Sequence, residues 1–71
     1  MITRSAVKFI IYSQVRYIGA MNAQETIKRG DIGYIIEVYS DGNYEVEFSG
    51  SDGTTRALVV IEEHDLELAE K

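Results

Sequence analysis

The chain has 71 residues, no Cys and a formal net charge of −5. That length allows one domain near the lower limit for folding unaided, and without Cys neither a disulfide framework nor a thiolate metal site can staple it. Hydrophobic residues at 45% argue against wholesale disorder, and no run reaches the roughly 18 apolar residues of a membrane-spanning helix.

Residues 1–9 carry little pattern. Met1 to Ser5 are expected to fray, and Ala6 to Ile11 reads as an extended segment or a short helical turn. Phe9-Ile10-Ile11 is too short for a signal-peptide apolar region and no small-residue cleavage site follows it cleanly, which makes the cytoplasm the default location. Tyr12 to Ile18 predicts the first strand, with Val15 and Tyr17 on one face and Gln14, Arg16 and Ile18 on the other. Gly19 to Arg29 has no period and predicts a long loop, with room for one helical turn near Asn22 to Glu25. Ile27 is expected to pin the far end of that loop to the core.

Lys28 to Phe48 predicts two strands joined by a tight turn. Tyr44, Val46 and Phe48 alternate with Glu45 and Glu47, so an aromatic and β-branched face turns inward and the carboxylates turn to water. Asp41-Gly42 stands before that run and suits a primed two-residue turn. Ile32, Ile35, Ile36 and Val38 differ in parity, and a bulge near Gly33 or Ile36 would reconcile them. The expected core of the hairpin is Ile32, Ile35, Val38, Tyr44, Val46 and Phe48.

Ser49 to Gly53 is a turn cluster with Asp52-Gly53 at its tip. Thr54 to Ile61 predicts a strand with Ala57, Val59 and Ile61 on one face and Leu58 and Val60 on the other. Apolar residues on both faces place it between the core and a second covered surface, or leave Leu58 or Val60 for an interface. Glu62 to Asp65 fits a single helical turn, Leu66 to Leu68 a brief last strand, and Ala69 to Lys71 a loose tail. The fold expected is all-β, one domain over residues 1–71: a small five-stranded SH3-like barrel with a long first loop and a short helical turn before the last strand.

Charge is unevenly spread. Residues 1–36 hold five bases against two acids, a balance of +3, and residues 37–71 hold ten acids against two bases, a balance of −8. An acidic surface of that kind suits a basic partner or simple solubility, and it disfavours general nucleic-acid binding.

Gly30-Asp31-Ile32-Gly33-Tyr34-Ile35-Ile36-Glu37-Val38 resembles the opening of KOW-type and related SH3-like domains, in which a Gly-Asp-x-Gly-x-Val-x-x-Val run turns into the second strand. More closely, Tyr12 to Leu68 resembles a family of small uncharacterised bacterial proteins common in cyanobacteria. Its shared runs stand here at Lys28 to Tyr39, Tyr44 to Phe48, Asp52 to Thr55, and Asp65-Leu66. The resemblance implies partners of toxin or nuclease type, and so an antitoxin or immunity role. The same barrel also serves accessory subunits of photosynthetic electron-transfer assemblies, from which this chain departs in its Glu-rich third strand and acidic end.

Catalysis has little to stand on. His64 is the only His, no Ser sits in a nucleophile-elbow context, and the carboxylates alternate outward as solubility requires. His64 amid Glu62, Glu63 and Asp65 reads as a solvated or capping residue, since a metal site needs converging ligands and a second shell. Arg29-Gly30-Asp31 reads as a turn, with Gly30 permitting it and Asp31 satisfying nearby backbone donors. A groove for Pro-rich ligands lacks its Trp and its aromatic-acid clusters. Among the tyrosines Tyr17 is expected in the core by its phase with Val15, and Tyr34 and Tyr39 are the surface candidates, against partial burial. The expectation is therefore a non-catalytic protein-interaction module, without cofactor or metal. Tyr34, Tyr39, Glu45, Glu47, Glu62 and Glu63 would meet a cognate protein, most concretely a basic toxin or nuclease. The alternatives are an accessory structural subunit, with an edge strand that pairs with a larger complex or with its own copy, and a weak KOW-like nucleic-acid patch at Arg16, Lys28 and Arg29.

Overall fold

The computed structural model describes residues 8–50 and 54–69. The expectations for residues 1–7, for the Asp52-Gly53 turn tip and for Glu70-Lys71 lie outside those residues. Five antiparallel strands form one sheet: β1 (Gln14–Tyr17), β2 (Ile32–Val38), β3 (Asn43–Ser49), β4 (Thr55–Glu62) and β5 (Leu66–Leu68), in the order β4-β3-β2-β1-β5. A 3₁₀ turn, Glu63–Asp65, precedes β5, and no other helix occurs among the described residues. The expected all-β, five-stranded architecture is the one observed.

The core follows from period-two alternation. Val15 and Tyr17 of β1, Ile35 of β2, Tyr44, Val46 and Phe48 of β3, Ala57, Val59 and Ile61 of β4, and Leu66 of β5 are all buried in one cluster. Inner faces from all five strands meet only if the sheet curls over on itself, so the strand alternation and the curl are one constraint. Ile27 joins the cluster and pins the first loop, as expected. Phe9, in a stretch whose sequence carries little pattern, is also in the core at 1% exposure. Its ring meets Tyr44 edge-on with centroids 5.3 Å apart, and its N–H donates to the Tyr44 hydroxyl at 3.4 Å.

The bulge in β2 falls at Ile36. Ile35 stands opposite Val46, whereas Glu37 stands opposite Glu45 and Val38 opposite Tyr44, so one residue is left over between them. The extra residue brings Ile35 and Val38 to the same side, as the sequence required. Ile32 does not join them. It lies before the bulge, pairs with Arg16, keeps the parity of Tyr34 and is 39% exposed, which corrects its place in the expected core. Gly33 is buried where three strands meet. A Cβ there would lie 2.7 Å from the Val46 side chain and 2.8 Å from the Glu47 carbonyl oxygen.

Three other details depart from the expectation. The β2–β3 turn has three residues rather than two: Gly42 N–H donates to the Tyr39 carbonyl at 3.1 Å, and Tyr39 N–H to the Asn43 carbonyl at 2.9 Å. Gly42 alone takes positive φ, at 90°, and the Asp41 carboxylate accepts from Asn43 N–H, which makes this a turn followed by a glycine bulge. Strand β1 starts at Gln14 because Tyr12 has φ 73° and Ser13 N–H closes a turn onto the Ile10 carbonyl. The first loop carries no helical turn; Asn22 and Ile27 bridge each other across four residues, with Thr26 at φ 62°.

Candidate functional site

The outer face of the sheet is assembled by register. Across one row Gln14 stands beside Tyr34, Tyr34 beside Glu47, and Glu47 beside Leu58. In the next row Glu37 stands beside Glu45, and Glu45 beside Val60. Side chains of one parity share a face, so Tyr34, Glu45, Glu47, Leu58 and Val60 lie together on β2, β3 and β4. Tyr34, Leu58 and Val60 are exposed, and Tyr39 borders the same surface just after β2.

Polar contacts fix the orientation of this face. The Tyr34 hydroxyl accepts from Gln14 Nε2 at 3.1 Å, and the Tyr39 hydroxyl donates to Glu45 Oε1 at 2.6 Å. That bond to a carboxylate, which disfavours the phenolate, raises Tyr39 above its ordinary value. The Glu47 carboxylate accepts from the Thr55 hydroxyl.

The cations are engaged by other carboxylates. Arg16 pairs with Glu67 at 2.6 Å, Lys28 and Arg56 both pair with Asp31 at 3.1 and 3.0 Å, and His64 lies 3.2 Å from Glu62 and 3.6 Å from Asp65. Among the described residues no cation pairs with Glu37, Glu45 or Glu47. Glu37 and Glu45 stand directly opposite each other, an arrangement that costs stability in a sheet. The carboxylates of this face therefore form an uncompensated negative field around two tyrosines and two aliphatic side chains.

Of the residues the sequence singled out, Tyr34, Tyr39, Glu45 and Glu47 come together. Glu62 ends β4 opposite Asn43, at the margin of the face. Glu63 is drawn away, since its carboxylate accepts from the Tyr44 hydroxyl at 3.0 Å and is tied to the core. Glu37 was missed; its place depends on the bulge at Ile36, which the sequence located only to within a few residues. In the alternative basic patch, Arg16 and Lys28 both carry carboxylate partners. Arg29-Gly30-Asp31 is a turn, as read: Gly30 has φ 99° and Asp31 accepts from Lys28 N–H at 3.1 Å.

An open cleft of about 270 Å³ lies beside β4, between its Val59 to Glu62 end and Tyr17, Ile27 and Asp65. The Tyr17 hydroxyl is already engaged, donating to the Ala20 carbonyl at 2.6 Å, and burial together with the Asp65 carboxylate pushes it up. No group of three His, Cys, Asp or Glu side chains among the described residues is placed to hold a metal ion. No described helix is long and apolar enough to cross a membrane.

Fold and surface together define a small all-β domain whose distinguishing feature is an acidic, tyrosine-bearing sheet face. The chain belongs to the family described as "Domain of unknown function (DUF4926)", which matches residues 12–68. No curated protein and no solved structure matches it.

Proposed function

We propose that this chain is a non-catalytic protein-binding module that presents the outer face of β2, β3 and β4 to a basic partner. The observation that carries the reading is that, among the described residues, no cation pairs with Glu37, Glu45 or Glu47, while Arg16, Lys28 and Arg56 pair with other carboxylates. Opposed like charges are a standing cost to the fold, and a cationic partner surface removes it. Tyr34 and Tyr39 add rigid contact area at low entropic cost, and the carboxylates steer the encounter.

The concrete form of the proposal is an antitoxin or immunity-type inhibitor of a basic toxin or nuclease in the cytoplasm. It draws on the resemblance to partners of such proteins, and the kinship to SH3-like and KOW-type barrels belongs to the same proposal. The SH3-like order would then serve protein binding rather than nucleic acid, since Arg16 and Lys28 are neutralised by Glu67 and Asp31.

The test is co-expression with the product of the neighbouring gene, since small inhibitors are usually encoded beside their targets. The wild-type chain is expected to relieve growth arrest caused by that product, and E45K/E47K to fail while remaining folded by circular dichroism. Relief that persists undiminished in the folded double variant, or no relief by the wild type, overturns the reading.

A further inference from the structure

We propose that β4 is where two copies of this chain join, antiparallel and edge to edge, into one continuous sheet. Strand β4 ends the sheet, pairing with β3 on one side and, among the described residues, with no strand on the other. Natural edges are blunted by charge, proline, bulge or cover. From Ala57 to Ile61 this edge has none of the first three: the residues are Ala-Leu-Val-Val-Ile and their pairing with β3 is regular, the register shift in β4 falling just before them at Arg56. A cleft separates the Val59 to Glu62 end of the edge from Tyr17, Asn22, Ile27 and Asp65 of the same chain.

The hydrogen-bond phase identifies the groups that face outward. Ile35 uses both its N–H and its carbonyl on the Tyr12–Ser13 segment, at 3.0 and 2.6 Å. Val46, directly opposite Ile35, therefore turns its own groups to Val59, because an antiparallel strand bonds its two neighbours at alternate residues. The backbone groups of Leu58 and Val60 are consequently those presented to the edge, and the two residues are 51% and 53% exposed.

One register satisfies these groups and the charges at once. With a two-fold axis at Val59, Leu58 lies opposite the second copy's Val60, and each such pair exchanges two backbone hydrogen bonds. Continued past the register shift that leaves Arg56 as an extra residue in β4, the same alignment brings Arg56 toward the second copy's Glu62 at both ends of the joint. The strand is thus self-complementary, basic at one end, acidic at the other and aliphatic between. Arg56 holds Asp31 through a single guanidinium nitrogen, so its fork has donors left for a second carboxylate. The interaction is separate from the proposed binding of a basic partner and does not depend on it.

Sedimentation equilibrium of the whole chain between about 1 and 500 µM, spanning micromolar to sub-millimolar affinities, tests the joint. The wild type is expected to dimerise. E62R and R56E each place like charges opposite one another twice, and each is expected to raise the dissociation constant roughly tenfold or more. An equimolar mixture of the two variants restores opposite charges at both ends and is expected to recover wild-type dimerisation. The mixture separates a lost register from a lost fold, since misfolded chains would not recover. A wild type that stays monomeric throughout, variants that dimerise as tightly as the wild type, or a mixture that fails to recover although both variants are folded, overturns the proposal.

Discussion

Asp31 carries more of the structure than any other single carboxylate described. Its side chain accepts from Lys28 N–H at 3.1 Å and pairs with both Lys28 Nζ and Arg56, tying the turn before β2 to a strand twenty-five residues further on. Burial pushes its carboxyl up, but the Lys28 N–H and ammonium and the Arg56 guanidinium outweigh that and hold it below its ordinary value of 3.8. The unfolded chain then binds the proton more readily, so this contribution is complete above 3.8 and is lost as pH falls through the lower folded value. Asp31→Asn is expected to lower unfolding free energy at pH 7 by about 1.5–3 kcal/mol, the range for hydrogen bonds to a charged group. Urea titrations at pH 7 and at successively lower pH should show the gap between variant and wild type closing below 3.8. A gap that stays constant with pH would contradict this assignment.

At the scale of elements, the two glycines that shape the central hairpin act by different means. Gly33 allows β2 to approach β3, and a methyl group there would press on Val46, the Glu47 carbonyl and Phe48 within 2.9 Å. Gly42 lies in open space and is required only for its φ of 90°. Gly33→Ala is expected to cost about 1–3 kcal/mol through overpacking, and Gly42→Ala about 1–2 kcal/mol through backbone strain alone. Thermal melts distinguish the two when Val46→Ala is added, because room made beside residue 33 should soften the first substitution and not the second. The turn itself was legible as Asp41-Gly42, but its length was not. Dipeptide chemistry shows that positive φ is needed, whereas the number of residues in the turn is set by where Tyr39 meets Asn43 across the hairpin.

At the scale of the whole molecule, an excess of acid over base is concentrated where the sheet cannot neutralise it. A domain of this length has little stability to spare, so opposed glutamates at Glu37 and Glu45 are a measurable burden. Glu37→Gln with Glu45→Gln is expected to stabilise the free domain by about 0.2–1 kcal/mol, less at high salt, and to weaken capture of a basic partner. Calorimetric melting at low and high ionic strength, alongside the co-expression assay, reads both effects. Stabilisation without any loss of inhibition would separate the acidic face from function.

Much of the architecture was written in local pattern. Tyr44-Val46-Phe48 and Ala57-Val59-Ile61 announced their buried faces because side-chain alternation along a strand depends on nothing beyond the strand itself. Phe9 gave no such signal, since its burial is decided by the ring of Tyr44, thirty-five residues later, and not by any period in its own neighbourhood. Arg16 facing Glu67, Arg56 reaching Asp31 and Glu37 opposing Glu45 were likewise invisible, because each depends on register. The sequence by itself determined which residues would form strands and which side of most strands would be dry. Only the tertiary structure decided which charges meet and which are left alone, because cross-strand partners are set by register; one extra residue at Ile36, for example, is what puts Glu37 opposite Glu45.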